Sequence, residues 1–198
     1  MNREEARAII CHGVNKSHEY ALEQLIPSNA KSWLPWLQQR FLLADIDCQS
    51  PNFVHSWVPD RIYNDDVKVF SRLEINKETS LIGHSCGGGF LLKYLSEHPE
   101  IEIKHLVLVA PWIDPDRLLN NYYTNLELDK SLPDRVGQID LFVSSDDMDM
   151  VLRSVAKIKE IYGDKIIYHE FNDKGHFTES DMGTKEFPEL WEVCKSQI

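Results

Sequence analysis

Leu81-Ile82-Gly83-His84-Ser85-Cys86-Gly87-Gly88-Gly89-Phe90-Leu91-Leu92 joins a short apolar run to a helical pattern through a turn holding four of the chain's nine glycines. Within it, Gly83-His84-Ser85-Cys86-Gly87 spells G-x-S-x-G in the strand, turn, helix context that a nucleophile elbow requires. The chemistry explains the spacing. Ser85 must occupy a tight, strained turn for its hydroxyl to project from the end of a sheet, and flanking side chains would collide with the neighbouring strand and helix. Cys86 then opens the helix, and its backbone N–H points to where the oxyanion of a tetrahedral intermediate would form. A phosphate loop is the wrong reading: Gly83 and Gly88 have its spacing, but Gly89-Phe90 stands where Lys-Ser/Thr is needed, and there is no G-x-G-x-x-G.

Outward from the elbow, short apolar runs alternate with helical patterns, which predicts an α/β fold with a parallel sheet covered on both faces. The predicted strands are 8–12, 81–83, 106–110, 141–144 and 166–171, with another near 41–47. They are continuous rather than alternating, as strands buried on both faces should be. Residues 66–73 carry Val67, Phe70 and Leu73 at helical spacing, and 150–162 carry Val151, Val155, Ile158 and Tyr162. Pro35 fits a first helical turn with Ser32 as N-cap and Trp36, Leu37 and Phe41 on the buried side, and Pro188 opens a last helix burying Leu190, Trp191 and Cys194. No repeat or linker divides residues 1–198, so one domain is expected. Two segments, 14–31 and 111–138, stay irregular, and the second holds Trp112, Leu118, Leu119, Tyr122 and Tyr123, enough apolar surface to fold over something.

A serine alone is inert, so an acid and a histidine should follow in the order Ser, Asp, His, each just past a strand. After 141–144 comes Ser145-Asp146-Asp147-Met148-Asp149, and after 166–171 comes Asn172-Asp173-Lys174-Gly175-His176-Phe177. Residues beyond the carboxyl ends of parallel strands converge on one sheet edge, where His176 would take the Ser85 proton and a carboxylate would fix its tautomer. A small residue three before the acid and an apolar one three after favour Asp147, with Ser144 and Met150, over Asp146, with Val143 and Asp149. The acidic run lacks the glycine and distal glutamate of a calcium loop, and His12 and His84 lack partners at metal spacing, so no metal site is expected. The loop after the first strand, Cys11-His12-Gly13-Val14, should supply the second oxyanion donor from the Val14 amide. Phe53, Trp57, Trp112, Tyr122, Met148 and Phe177 are expected to rim the substrate pocket.

The chain has 198 residues with 32 acidic and 21 basic side chains, a net charge of −11 that disfavours nucleic acid and anionic membranes. If acidic groups lie at the pocket mouth, the charge also favours neutral or cationic substrates. No run is long enough to cross a bilayer, and the polar start at Met1–Arg7 followed by a short apolar stretch is not a signal peptide, so a cytoplasmic protein is expected. The four cysteines, Cys11, Cys48, Cys86 and Cys194, show no metal or disulfide spacing and read as small buried hydrophobes.

Ile10-Cys11-His12-Gly13, Ser32-Trp33-Leu34-Pro35-Trp36-Leu37, Ile82-Gly83-His84-Ser85-x-Gly87, Ser144-Ser145-Asp146-Asp147 and Gly175-His176-Phe177 together resemble the small α/β-hydrolase-fold serine hydrolases of the YdeN and retinoblastoma-binding serine hydrolase family. The resemblance covers most of the chain. It implies a three-layer sandwich with about six mostly parallel strands in the order 2-1-3-4-5-6, no large cap, and Asp147 as the acid. It further implies hydrolysis of a small ester or amide through an acyl-enzyme, without cofactor. The alternatives are a catalytically idle scaffold that binds a partner, or an acyltransferase using the same triad. Retinoblastoma binding does not carry over, because no cysteine has Leu two positions before it. Two departures from the family stand out: the long 14–31 segment, and Cys86, whose oxidation would block the pocket.

Overall fold

The computed structural model describes residues 5–14, 26–53, 61–119 and 121–198. Its strands are β1 (Arg7–Cys11), β2 (Asp47–Gln49), β3 (Thr79–His84), β4 (Ile103–Val109), β5 (Val136–Ser144) and β6 (Ile167–Phe171). They form one parallel sheet of six in the order β2-β1-β3-β4-β5-β6. All six residues of β3 are buried. Successive side chains point to opposite faces, so both faces of the sheet are covered there. Continuity fails at the edges: β2 buries only Cys48 of its three residues, and Ile167 in β6 is 49% exposed.

Among the described residues the helices are α1 (Leu34–Leu43), α2 (Tyr63–Phe70), α3 (Cys86–Glu97), α4 (Asp149–Tyr162), α5 (Glu179–Met182) and α6 (Pro188–Lys195). Phe41 of α1 meets Trp191 of α6 edge to face at 5.4 Å, whereas Phe70 of α2 meets Phe90 and Tyr94 of α3 at 5.1 and 4.9 Å. Every residue of α3 from Cys86 to Leu95 is buried, which makes it the central helix of the molecule.

Several boundaries differ from the sequence reading. Phe41 to Leu43 continue α1, and the strand expected over 41–47 is instead Asp47–Gln49, because the apolar face of Leu34, Leu37 and Phe41 holds the helix until Asp45 turns the chain at φ +62°. Ser32 does not cap α1. It has φ +49°, and its Oγ accepts the Glu179 amide at 3.2 Å, which leaves Trp33 at the cap position with its side chain fully buried. Trp36, expected inside, is half-buried under Arg40, whose guanidinium lies 5.1 Å from its ring. The last part of the 111–138 segment belongs to β5, which starts at Val136 rather than Leu141. Among the described residues before it, Leu119, Tyr122 and Tyr123 are buried, and the Asp114 carboxylate accepts the Leu118 and Leu119 amides at 2.7 and 2.8 Å.

Next to the β6 edge the sheet holds a buried carboxylate. Asp140 of β5 is 1% exposed and accepts from His105 Nε2 at 2.7 Å, His169 Nε2 at 2.6 Å and Gln138 Nε2 at 2.7 Å. Burial alone would push its carboxyl up, but the hydrogen bonds from His105, His169 and Gln138 outweigh it and hold it well below the usual carboxylate range. The stability this lends is present above the unfolded value near pH 3.9 and is lost as the pH falls below it. Asp140→Asn should therefore lower unfolding stability in urea at pH 7 by about 1–3 kcal/mol and flatten the acid limb of the stability profile. Equal stability of the two proteins at pH 7 would contradict this account.

Candidate active site

Ser85 lies between the end of β3 and the start of α3 with φ 54° and ψ −123°, a conformation that L-residues populate only when their surroundings force it. The surroundings are backbone. A Cβ on Gly83 would stand 2.6 Å from the Gly88 nitrogen and Cα, and one on Gly87 would overlap the Cys11 carbonyl and lie 2.6 Å from that of His12. Hydrogen bonds then hold the turn: Ser85 N–H donates to Val109 O at 2.9 Å, and Ser85 O accepts from the Gly88 and Trp112 amides, both at 3.0 Å.

Ser85 Oγ lies 2.9 Å from His176 Nε2, and His176 Nδ1 lies 3.0 Å from each carboxylate oxygen of Asp147. An ionised carboxylate only accepts, so Nδ1 carries the ring proton and the Nε2 lone pair faces the serine hydroxyl. The Asp147 side chain is fully buried and also accepts the Met148 amide at 2.6 Å, while the histidine ring stays 16% exposed. The three acids of the Asp cluster separate. Asp146 bonds Ser144 Oγ and accepts the Gly175 amide at 3.0 Å, tying the acid loop to the histidine loop, and Asp149 sits in the first turn of α4.

The histidine loop is held from three sides. Asp181 accepts the His176 amide at 3.0 Å and the Thr178 amide at 3.2 Å as part of a capping box at the start of α5. Trp33 Nε1 donates to Phe177 O at 3.0 Å, and His84 Nε2, 2.9 Å from His176 O, donates to that carbonyl. Burial and the adjacent His176 hold the His84 imidazole down at about 3, so it is a neutral donor. None of these three roles was read from the sequence: Thr178-x-x-Asp181 is a local capping signal that could have marked Asp181, whereas Trp33 and His84 carry none, because each depends on a partner more than 90 residues away.

Cys86 is the first residue of α3, where backbone amides have no partner within the helix. Its side chain points away from the cleft: Sγ is buried 3.3 Å from the Tyr123 hydroxyl, and burial pushes the thiol up. The expected sensitivity of the pocket to Cys86 oxidation therefore does not hold, since a buried thiol held protonated is unreactive. On the other side of Ser85, the 12–14 loop runs so close that a Cβ on Gly13 would stand 2.9 Å from Ser85 Cβ, and Val14 lines the cleft.

The cleft over Ser85 is lined by apolar residues that include Trp112, Leu118, Met148, Met150 and Val151, and by polar ones that include Lys31, Thr178, Glu179, Asp181 and Lys185. Of the expected rim, Trp112 and Met148 are there. Phe53, Tyr122 and Phe177 are not. Phe53 is buried against His12 and Phe90, Tyr122 spends its hydroxyl on Asp66 Oδ2 at 2.6 Å, and φ +55° turns Phe177 inward to stack on Phe187 at 5.3 Å. Trp57 lies outside the described residues. Among the described residues no three His, Cys, Asp or Glu side chains are grouped to hold a metal ion, and no helix is long and apolar enough to cross a membrane.

His84 precedes Ser85 directly and His12 precedes Gly13, which lies against Ser85; burial holds both imidazoles near 3, with the Arg61 charge adding to the effect at His12. The unfolded chain takes up protons on both below about pH 6.5 while the fold does not, so their contribution to stability is present above 6.5 and lost as the pH falls toward 3. At pH 5 the expected loss is on the order of 2 kcal/mol per histidine. Urea unfolding at pH 7 and pH 5 checks this: His84→Gln should lose less stability between the two than the wild type, and an unchanged difference would contradict it.

A family model described as alpha/beta hydrolase fold matches residues 9–165, a stretch that includes the elbow and Asp147 and stops short of His176. The ydeN gene product of B. subtilis is similar in structure, with a TM-score of 0.77, 20% identity, and coverage of 97% of this chain and 98% of that one. A yden-like protein from Pectobacterium atrosepticum gives a TM-score of 0.64 at 15% identity, over 98% and 94% of the two chains. An α/β serine hydrolase without lid from Xanthomonas campestris gives 0.58 at 14% identity, over 99% and 84%. No curated protein sequence matches. With the single parallel sheet and the elbow at its carboxyl edge, the match over residues 9–165 establishes that the chain belongs to the α/β hydrolase fold family.

Proposed function

We propose that this protein is a serine hydrolase that cleaves a small carboxylic ester or amide through an acyl-enzyme. The observation that carries the reading is the chain of hydrogen bonds from Ser85 Oγ to His176 Nε2 and from His176 Nδ1 to Asp147, at 2.9 and 3.0 Å. In that arrangement Ser85 Oγ attacks the substrate carbonyl as His176 Nε2 takes its proton, and Asp147 stabilises the imidazolium that forms. The tetrahedral oxyanion would accept hydrogen bonds from the Cys86 and Val14 amides. His176 then returns the proton to the leaving group, and water repeats the sequence in reverse to release the acid.

The cleft supports a substrate with two unlike ends. Trp112, Leu118, Met148, Met150 and Val151 give the cleft apolar surface that suits an apolar acyl group, and Lys31, Thr178, Glu179, Asp181 and Lys185 give it polar groups. Four carboxylates, Asp146, Asp147, Glu179 and Asp181, line the cleft with two lysines, Lys31 and Lys185. This balance, in a chain of net charge −11, favours neutral or cationic esters over anionic ones.

Ser85→Ala should lower turnover of a short-chain nitrophenyl ester by about 10³-fold or more, and Asp147→Asn by roughly 10⁴-fold, with the fold retained by circular dichroism. A fluorophosphonate probe should label the wild type and not Ser85→Ala. Undiminished hydrolysis by Ser85→Ala, or no labelling of folded wild type, would overturn the reading and favour a binding scaffold. At low salt a neutral ester should turn over faster than its carboxylated analogue, and the gap should narrow as salt is added.

A further inference from the structure

Arg61 is a charged side chain with no exposed surface, and it takes no part in the proton path from Ser85 to Asp147. Its Nε donates to Asp66 Oδ2 at 2.6 Å, and that carboxylate is also fully buried and accepts the Tyr122 hydroxyl at 2.6 Å. Its guanidinium lies 5.0 Å from the Phe53 ring and 5.5 Å from the Tyr122 ring. Burying such a pair costs so much hydration that an apolar replacement is often as stable, so stability alone is a weak reason for it to be there.

The second arm of Arg61 gives a better reason. Nη1 donates at 3.0 Å to the carbonyl of Gly13, and the same oxygen lies 2.7 Å from His12 Nδ1. His12 Nε2 accepts the Phe53 amide at 2.8 Å, so the ring proton sits on Nδ1 and is donated to Gly13 O. Two donors thus converge on one carbonyl from the core side. That carbonyl shares a planar trans peptide with the Val14 N–H, and the two point in opposite directions. Fixing the oxygen toward Arg61 and His12 turns the Val14 N–H away from the core, toward the cleft that Val14 lines. The peptide is close enough to matter: a Cβ on Gly13 would stand 3.4 Å from Ser85 Oγ. The cation behind the carbonyl also polarises the peptide, which strengthens its N–H as a donor.

We propose that Arg61, with His12, is a positioning residue for the oxyanion hole: it clamps the Gly13 carbonyl so that the Val14 amide is preset toward the developing negative charge. The proposal rests on the serine hydrolase reading and deepens it. Arg61 touches no substrate, so its effect falls on kcat rather than on ground-state binding.

Two variants of the full chain test it. Arg61→Lys keeps a cation beside Asp66 but loses the rigid fork that reaches both the carboxylate and the carbonyl. The double variant Arg61→Met/Asp66→Leu removes the ion pair whole, so no lone charge is left buried. For both, kcat on a short-chain nitrophenyl ester should fall about 10- to 100-fold, less than or comparable to losing an oxyanion donor outright. KM should stay within about twofold and the pH midpoint of kcat should not move, because the His176–Asp147 pair is untouched. A merely structural role would lower the melting temperature and leave kcat per folded molecule unchanged, and kcat within about twofold of wild type in a cooperatively melting variant would overturn the proposal. Should the double variant fail to fold, Arg61→Lys decides. Ser85→Ala separates the two failures: if it is inactive while the Arg61 variants stay active, only the Arg61 role falls, and if it is fully active, the hydrolase reading falls and the Arg61 role with it.

Discussion

Three stretches of backbone meet at Ser85 with no side chain between them. The carbonyls of Cys11 and His12 at the end of β1 lie against Gly87, Gly83 lies against Gly88, and Gly13 lies against Ser85 itself. This close approach lets α3 start directly beneath the 12–14 loop, and Ser85 is held at its positive φ by its N–H donating to Val109 O and its carbonyl accepting the Gly88, Gly89 and Trp112 amides. The conformational cost of the elbow is met by β4 and the buried helix α3, so the strain belongs to the whole sheet edge rather than to one turn. Because β1, β3, β4, β5 and β6 run parallel, that edge also collects the loops bearing Val14, Asp147 and His176. Had β5 or β6 run the other way, its loop would have opened on the opposite edge.

What could be read from the sequence follows from this. The elbow and the contact of Ser85, Asp147 and His176 follow from local backbone chemistry, with glycines at the crowded positions and polar residues just past apolar runs, whereas the strand order is non-local and was implied only by the family resemblance. Side-chain direction is not local. Phe177 points into the core because its φ is +55° and Phe171 and Phe187 are there to receive it. Ser32 and Phe41 were misread for a related reason, since a distant amide claimed the serine and a continuing apolar face kept the phenylalanine in α1. Trp112 and Met148 line the cleft, whereas Phe53, which follows β2 as closely as Met148 follows β5, is buried with Tyr122 against Arg61, a residue with no local pattern to mark it.

Buried polar groups in this protein are concentrated where geometry must be held. His12, His84 and Asp147 are each buried, and each spends its polar atoms on orienting a neighbour rather than meeting water. A low local dielectric strengthens such bonds and makes their loss expensive, so the arrangement is rigid as a unit. His84 and Trp33 grip the carbonyls of the histidine loop while Asp181 grips its amides, and the ring of His176 is left as the partly exposed element between them.

The cleft walls are built on a different principle. Leu118 and Met148, on the apolar side, are 45% and 37% exposed and come from connecting segments, and the polar side comes from the loop before α1 and the short α5 region. On the polar side, Thr178 and Asp181 hold the histidine loop through their side chains, and Ser32 Oγ accepts the Glu179 amide. On the hydrolase reading proposed above, a change at Leu118 or Met148 alters the cleft lining and leaves the geometry at Ser85 in place, whereas a change at Asp181 alters the lining and the His176 backbone together. The geometry at Ser85 is fixed by the parallel sheet and its glycines, and the cleft lining is left to loops that the sheet merely delivers to the same edge.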